Sequence, residues 1–202
     1  SRDVVMASYD CEPNDYLTKP ITGKTLEQRI KRLLAKRQEL FSTYEAIENA
    51  QFDRAIAILK ALLSAKSRYS VECQKLLGEL YLKQNTYDLA EDIYKGVLAT
   101  RELDWAKVGL ANVELAYGQY LIAANSLDVI IDDHPAYLKA YDSLTDACIS
   151  LEDNDRLQCV LEKAAQVSPM SIERQKTLAD VALVNGDVAL AIKAYKKTIK
   201  HG

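Results

Sequence analysis

The chain has 202 residues, 49% hydrophobic and 27% charged, enough to bury a substantial core. Only 7 Gly and 4 Pro are present, which excludes collagenous and low-complexity chains, argues against a turn-dense all-β fold, and leaves helix as the leading class. With 26 Lys and Arg against 29 Asp and Glu, the formal net charge is −3; nothing draws the whole molecule to nucleic acid or an anionic membrane, so electrostatic recognition must be local.

From the N-terminus, residues 3–9 can form a short helix closed by the turn Glu12-Pro13-Asn14. Residues 14–21 have the aromatic and aliphatic character of a short strand, ended by Pro20. A helix follows, with Leu26, Ile30, Leu33, Leu34, Phe41, Tyr44 and Ile47 mostly at three- and four-residue steps. No Gly or Pro breaks this pattern before Gln51, so the helix is expected to run unbroken into the next segment. The stretch from Lys19 to Arg37 holds seven basic residues (Lys19, Lys24, Arg29, Lys31, Arg32, Lys36, Arg37) against one acid, Glu27. No aromatic side chains interleave with these charges for base stacking, so a solvated helix face is favoured over a nucleic-acid patch. The chain opens at Ser1 in what reads as the middle of a domain, and further sequence upstream is expected.

The order helix, strand, Lys-Pro, helix, with the phrase Asp15-Tyr16-Leu17-Thr18-Lys19-Pro20, resembles the C-terminal third of the receiver domain of two-component response regulators. The resemblance covers about residues 1–35. It implies that Lys19 matches the lysine contacting the phosphorylated aspartate, that Tyr16 matches the aromatic switch residue, and that the peptide bond before Pro20 is cis. A receiver also needs an aspartate nucleophile and an acidic pair holding Mg²⁺, which the family places on earlier strands absent from this sequence. Asp10 and Asp15 stand too close to the lysine to replace them. No cofactor is therefore expected for this chain; Mg²⁺ and a sensor histidine kinase partner belong to the complete receiver alone.

Downstream the sequence repeats itself. A Leu followed by a small residue recurs at Leu77-Gly78, Leu110-Ala111, Leu144-Thr145 and Leu178-Ala179, in steps of 33, 34 and 34. Twelve residues after each small position stand Ala90, Ala123, Leu157 and Ala191, and four further on Tyr94, Leu127, Leu161 and Tyr195. Between these landmarks lie the turn candidates Asn85, Gly118, Glu152 and Gly186, and Pro135 and Pro169 occupy equivalent late positions. Each unit reads as a pair of antiparallel helices in which small residues let two backbones approach. One pair cannot bury both apolar stripes, so successive pairs stack into a superhelix with a concave and a convex face.

This pattern resembles the tetratricopeptide repeat family, whose unit is 34 residues. The expected fold is all-α, a helical-hairpin superhelix over 36–202 behind a truncated receiver remnant with one short strand at 1–35. Its repeats span 36–70, 71–103, 104–137, 138–171 and 172–202. The first keeps Phe52, Ala55, Leu59 and Leu62 but has Ser42-Thr43 in place of Leu and a small residue, which makes it degenerate. The last stops at Gly202 before a closing proline. In the family, partners bind first-helix residues on the concave surface. The resemblance implies that role for Lys75, Glu79, Leu82, Trp105, Val108, Asn112, Leu115, Asp142, Asp146, Ile149, Lys176 and Asp180. Trp105, the single Trp, is either an interface anchor or a packing residue between repeats.

Other chemistries find little footing. Cys11, Cys73, Cys148 and Cys159 form no Cys-x-x-Cys pair, and His134 and His201 lie far apart, so neither a zinc site nor a disulfide framework is expected. The cysteines read as buried thiols of a reducing, cytoplasmic compartment. Lys60 and Lys95 interrupt the best apolar runs, so no membrane span is expected. There is no glycine-rich phosphate loop and no nucleophile near a paired His, which argues against an enzyme. The expected function is protein recognition, as the phosphorelay output module of a response regulator or, alternatively, as a constitutive scaffold. A homodimer is compatible with either.

Overall fold

A computed structural model describes residues 20–201, and among the described residues every regular element is a helix. In chain order these are α1 (Gly23–Glu39), α2 (Phe41–Glu48), α3 (Phe52–Ser64), α4 (Ser70–Lys83), α5 (Tyr87–Leu98), α6 (Asp104–Ala116), α7 (Tyr120–Asp133), α8 (Leu138–Ser150), α9 (Asn154–Val167), α10 (Ile172–Val184) and α11 (Val188–His201). They fall into two compact units, one ending at Val113 and the other beginning at Glu114, with the division inside α6.

Within each unit a helix packs on its neighbours in sequence. α2 meets α3, α3 meets α4 and α4 meets α5 in the first unit; α7 through α11 follow the same rule in the second. Such nearest-neighbour packing is how a repeat array buries its faces. The turns close each hairpin as their residues foretell. Asn85, Gly118, Glu152 and Gly186 all adopt positive φ, at 58°, 74°, 55° and 80°. This left-handed step turns the next N–H back onto a carbonyl five residues earlier, as in Thr86 N to Tyr81 O (2.9 Å) and Asp187 N to Ala182 O (2.8 Å). Ala50, at φ 55°, closes the α2–α3 turn in the same way, with Gln51 N on Ala46 O at 2.8 Å.

The repeated positions form the core. Leu77, Leu144 and Leu178 are buried, as are Ala111 and Ala179, and so are Ala90, Ala123, Leu157, Ala191, Leu127 and Leu161. In the first unit Tyr94 on α5 is the largest fully buried side chain. Its ring lies against two glycines: a Cβ on Gly78 of α4 would lie 2.7 Å from the ring, and one on Gly109 of α6 would lie 2.3 Å from it. Gly78 was legible as the small residue of its repeat; Gly109 was not. In the degenerate repeat, Thr43 takes the small position and is fully buried, with its Oγ1 among the buried atoms lacking a hydrogen-bond partner.

One expectation needs correction. The helix from residue 23 does not run unbroken into the next segment: α1 ends at Glu39, and its cap Leu40, at φ −93° and ψ 4°, bends the chain before α2 begins at Phe41. No Gly or Pro makes this break. Leu40 is fully buried in the core of the first unit, and both Thr43 N and Tyr44 N bond its carbonyl, so tertiary packing sets the bend. Of the expected strand over 14–21 only Pro20 and Ile21 fall among the described residues, and they are exposed non-helical residues before the cap Thr22. The strand over 14–19, Tyr16, Lys19 and the short helix over 3–9 lie outside the described residues.

Candidate partner-recognition surface

In the repeat register, eleven of the twelve expected surface residues fall at three equivalent sequence positions, with Trp105 outside them. One row holds Lys75, Val108, Asp142 and Lys176; the next Glu79, Asn112, Asp146 and Asp180; a third Leu82, Leu115 and Ile149. In the first unit packing absorbs much of this set. Val108 is buried and leaves the expected surface, because α6 turns that position inward. Leu82 and Trp105 are half-buried and pack against the core, with Trp105 edge-on to Tyr94 at 6.3 Å between ring centroids and 66° between planes. Trp105 thus packs on Tyr94 with part of its ring still exposed. Lys75 and Asn112 are half-buried, and Glu79 is exposed.

In the second unit Leu115 is half-buried, but the residues on α8 and α10 stand open: Asp142, Asp146, Ile149, Lys176 and Asp180 are all exposed. Arg174 ties the two helices together, donating from both terminal nitrogens to the two oxygens of Asp142, the longer bond being 3.1 Å. One turn along α8, the Asp146 carboxyl is raised above its usual range by partial desolvation and by the neighbouring Asp142. On α10, Tyr195 of α11 donates its hydroxyl proton to Asp180, and this bond raises the Tyr195 pKa.

The third row continues at Leu183, four residues beyond Ala179 just as Ile149 follows Thr145. Ile149 is 56% exposed and Leu183 54%, with Val184 also open. Leu183 was readable from the repeat register; Arg174 was not, since its partner lies 32 residues away. Each of these two helices thus offers a carboxylate and, three residues on, an exposed aliphatic side chain. This alternation matches a segment carrying cationic and apolar side chains. Among the described residues no three His, Cys, Asp or Glu side chains converge to hold a metal, and no helix is long and apolar enough to cross a membrane. Cys73 and Cys148 are buried thiols whose pKa burial raises; Cys159, expected to be buried, is exposed on α9. Cys11 lies outside the described residues.

Residues 44–104 match the family model described as tetratricopeptide repeat. No curated protein matches the chain in sequence. Among solved structures, MamA from Desulfovibrio magneticus RS-1 is similar at 19% identity, with a TM-score of 0.62, covering 82% of this chain and 93% of that one. A crystal structure of MamA is 22% identical over 79% of this chain and 93% of its own, with a TM-score of 0.61. A thermophilic TPR protein of Thermus thermophilus is 18% identical, covering 82% and 91%, with a TM-score of 0.62. These likenesses establish the fold: helical hairpins of the tetratricopeptide type.

Proposed function

We propose that this chain is a constitutive protein-interaction module, a non-enzymatic scaffold that takes a partner segment of basic and apolar character along α8 and α10. The observation that carries this reading is the repeated pair of carboxylate and open aliphatic side chain, Asp146 with Ile149 and Asp180 with Leu183. Exposed apolar side chains that recur in register along a face mark an interaction surface better than single ones do. The buried thiols of Cys73 and Cys148 support a reducing, cytoplasmic setting.

A photo-crosslinking amino acid at Ile149, in the intact chain made in its own cells, is expected to give a discrete protein adduct. Asp146→Lys with Asp180→Lys should abolish that adduct while the same probe at Gln166 gives none. An adduct indifferent to both charge reversals would sink the reading.

A second reading, output from a response regulator fed by a sensor histidine kinase, has one observation in its favour. Helix α1 begins directly behind Pro20 and Ile21, where the receiver resemblance puts the last helix. Under it, Mg²⁺ and a small phosphodonor should add one phosphoryl group to the gene product. An unchanged mass leaves the constitutive module.

A further inference from the structure

Helix α1 is 17 residues long and buries none of them. In proteins most helical stability comes from packing an amphipathic face rather than from propensity. It is held to its unit near its C-terminal end, where Lys36 pairs with Glu72 at 3.4 Å and Ser67 donates to Glu39. Leu26, Ile30 and Leu34 recur every four residues along one open stripe, and Leu34 is 60% exposed. Beside the stripe, a groove of about 490 Å³ opens between Ile30, Leu33 and Leu34 of α1 and Tyr44 of α2. Lys24, Arg29, Lys31, Arg32, Lys36 and Arg37 against Glu27 and Glu39 give α1 a formal charge of +4.

One other helix has the opposite character. On α7, Leu121, Ile122 and Val129 are exposed, with Val129 at 61%. Asn125 and Asp133 complete the four-residue steps from Leu121. This helix has no Lys or Arg and carries Asp128, Asp132 and Asp133, a formal charge of −3; Arg156 engages Asp128, which leaves Asp132 and Asp133 at its open end. Among the described helices it is the one that joins several exposed large apolar side chains to acid without any base. The two stripes, Leu26 to Leu34 and Leu121 to Val129, are equal in length.

We propose that α1 of one copy docks on α7 of a second copy, apolar stripe against apolar stripe, with the basic rim of α1 beside Asp132 and Asp133. The inference rests on the constitutive reading; among the described residues the stripe Leu26, Ile30 and Leu34 is exposed. Pairing of α1 with another α1 would set two helices of charge +4 side by side, so charge disfavours it. A bilayer would meet the stripe but leave the groove of α1 and α2 unfilled, whereas side chains of a packed helix enter it. A single helix-on-helix contact is at the small end of specific interfaces, so the association is weak and concentration-dependent.

The test is sedimentation of the intact chain over a concentration series. Self-association is expected, and Lys24→Glu with Arg37→Glu should weaken it by about tenfold or more, as should Asp132→Lys with Asp133→Lys. All four sites are exposed, and circular dichroism checks that the helices persist. Combining the four changes in one chain should restore association to within about threefold of the original. A monomer throughout, association indifferent to either reversal, or no rescue in the combined chain would overturn the proposal. So would binding to phosphatidylserine vesicles, lost on reversal of α1, by a chain that stays monomeric. The crosslink at Ile149 reports on α8 and α10 separately, so the recognition surface and this interface can fail independently.

Discussion

Gly109→Ala is expected to destabilise the first unit by about 2–3 kcal/mol, although alanine is the better helix former by about 1 kcal/mol. The new Cβ would lie 2.3 Å from the Tyr94 ring, far inside van der Waals contact. The ring has little room to shift, because it also lies so close to Gly78 that a Cβ there would stand 2.7 Å from it. The cost must come from separating α6 from α5 or forcing Tyr94 off its rotamer. A loss of this size lowers Tm by roughly 4–12 °C for a chain of this length. Trp105, the single Trp and 6.3 Å from Tyr94, reports the change locally in urea melts followed by fluorescence. In a Tyr94→Leu background the same substitution should cost far less, since two changes sharing one contact are not additive. An equal cost in both backgrounds would show that the ring is not the obstacle.

Leu40→Ala should cost about 2–5 kcal/mol, the range for emptying a fully buried leucine site. The position has a second consequence. Leu40 is both the C-terminal cap of α1 and the residue that opens α2, so its side chain fixes the angle between them. Hydrogen exchange should therefore quicken along α1 and α2 more than along α8 to α11. A uniform loss of protection over both units would contradict this local role.

Much of the core was legible because its period is chemical. Leu77, Leu144 and Leu178 with Ala90, Ala123 and Ala191 recur where two helices must touch, and the buried set follows those positions. The turns were legible for a related reason: Asn85, Gly118 and Gly186 tolerate positive φ, and Glu152 sits at the same phase although its side chain does not favour it. Ala50 escaped notice because alanine carries no turn signal and the first repeat is degenerate. The expected surface was legible only as a register. Sequence placed Val108 and Asp142 in one row, yet Val108 is buried and Asp142 is exposed and held by Arg174.

What the sequence alone determined is the helical class, the repeat phase and the residues that alternate between core and turn, since these depend on spacing within a few turns of helix. The tertiary structure decided the rest. It bent the chain at Leu40 without Gly or Pro, seated Tyr94 against Gly78 and Gly109, and left apolar side chains of α1 and α7 exposed. Each of these depends on which distant side chain competes for the same volume or charge. Such competition is set by packing between helices and leaves no periodic trace along the chain.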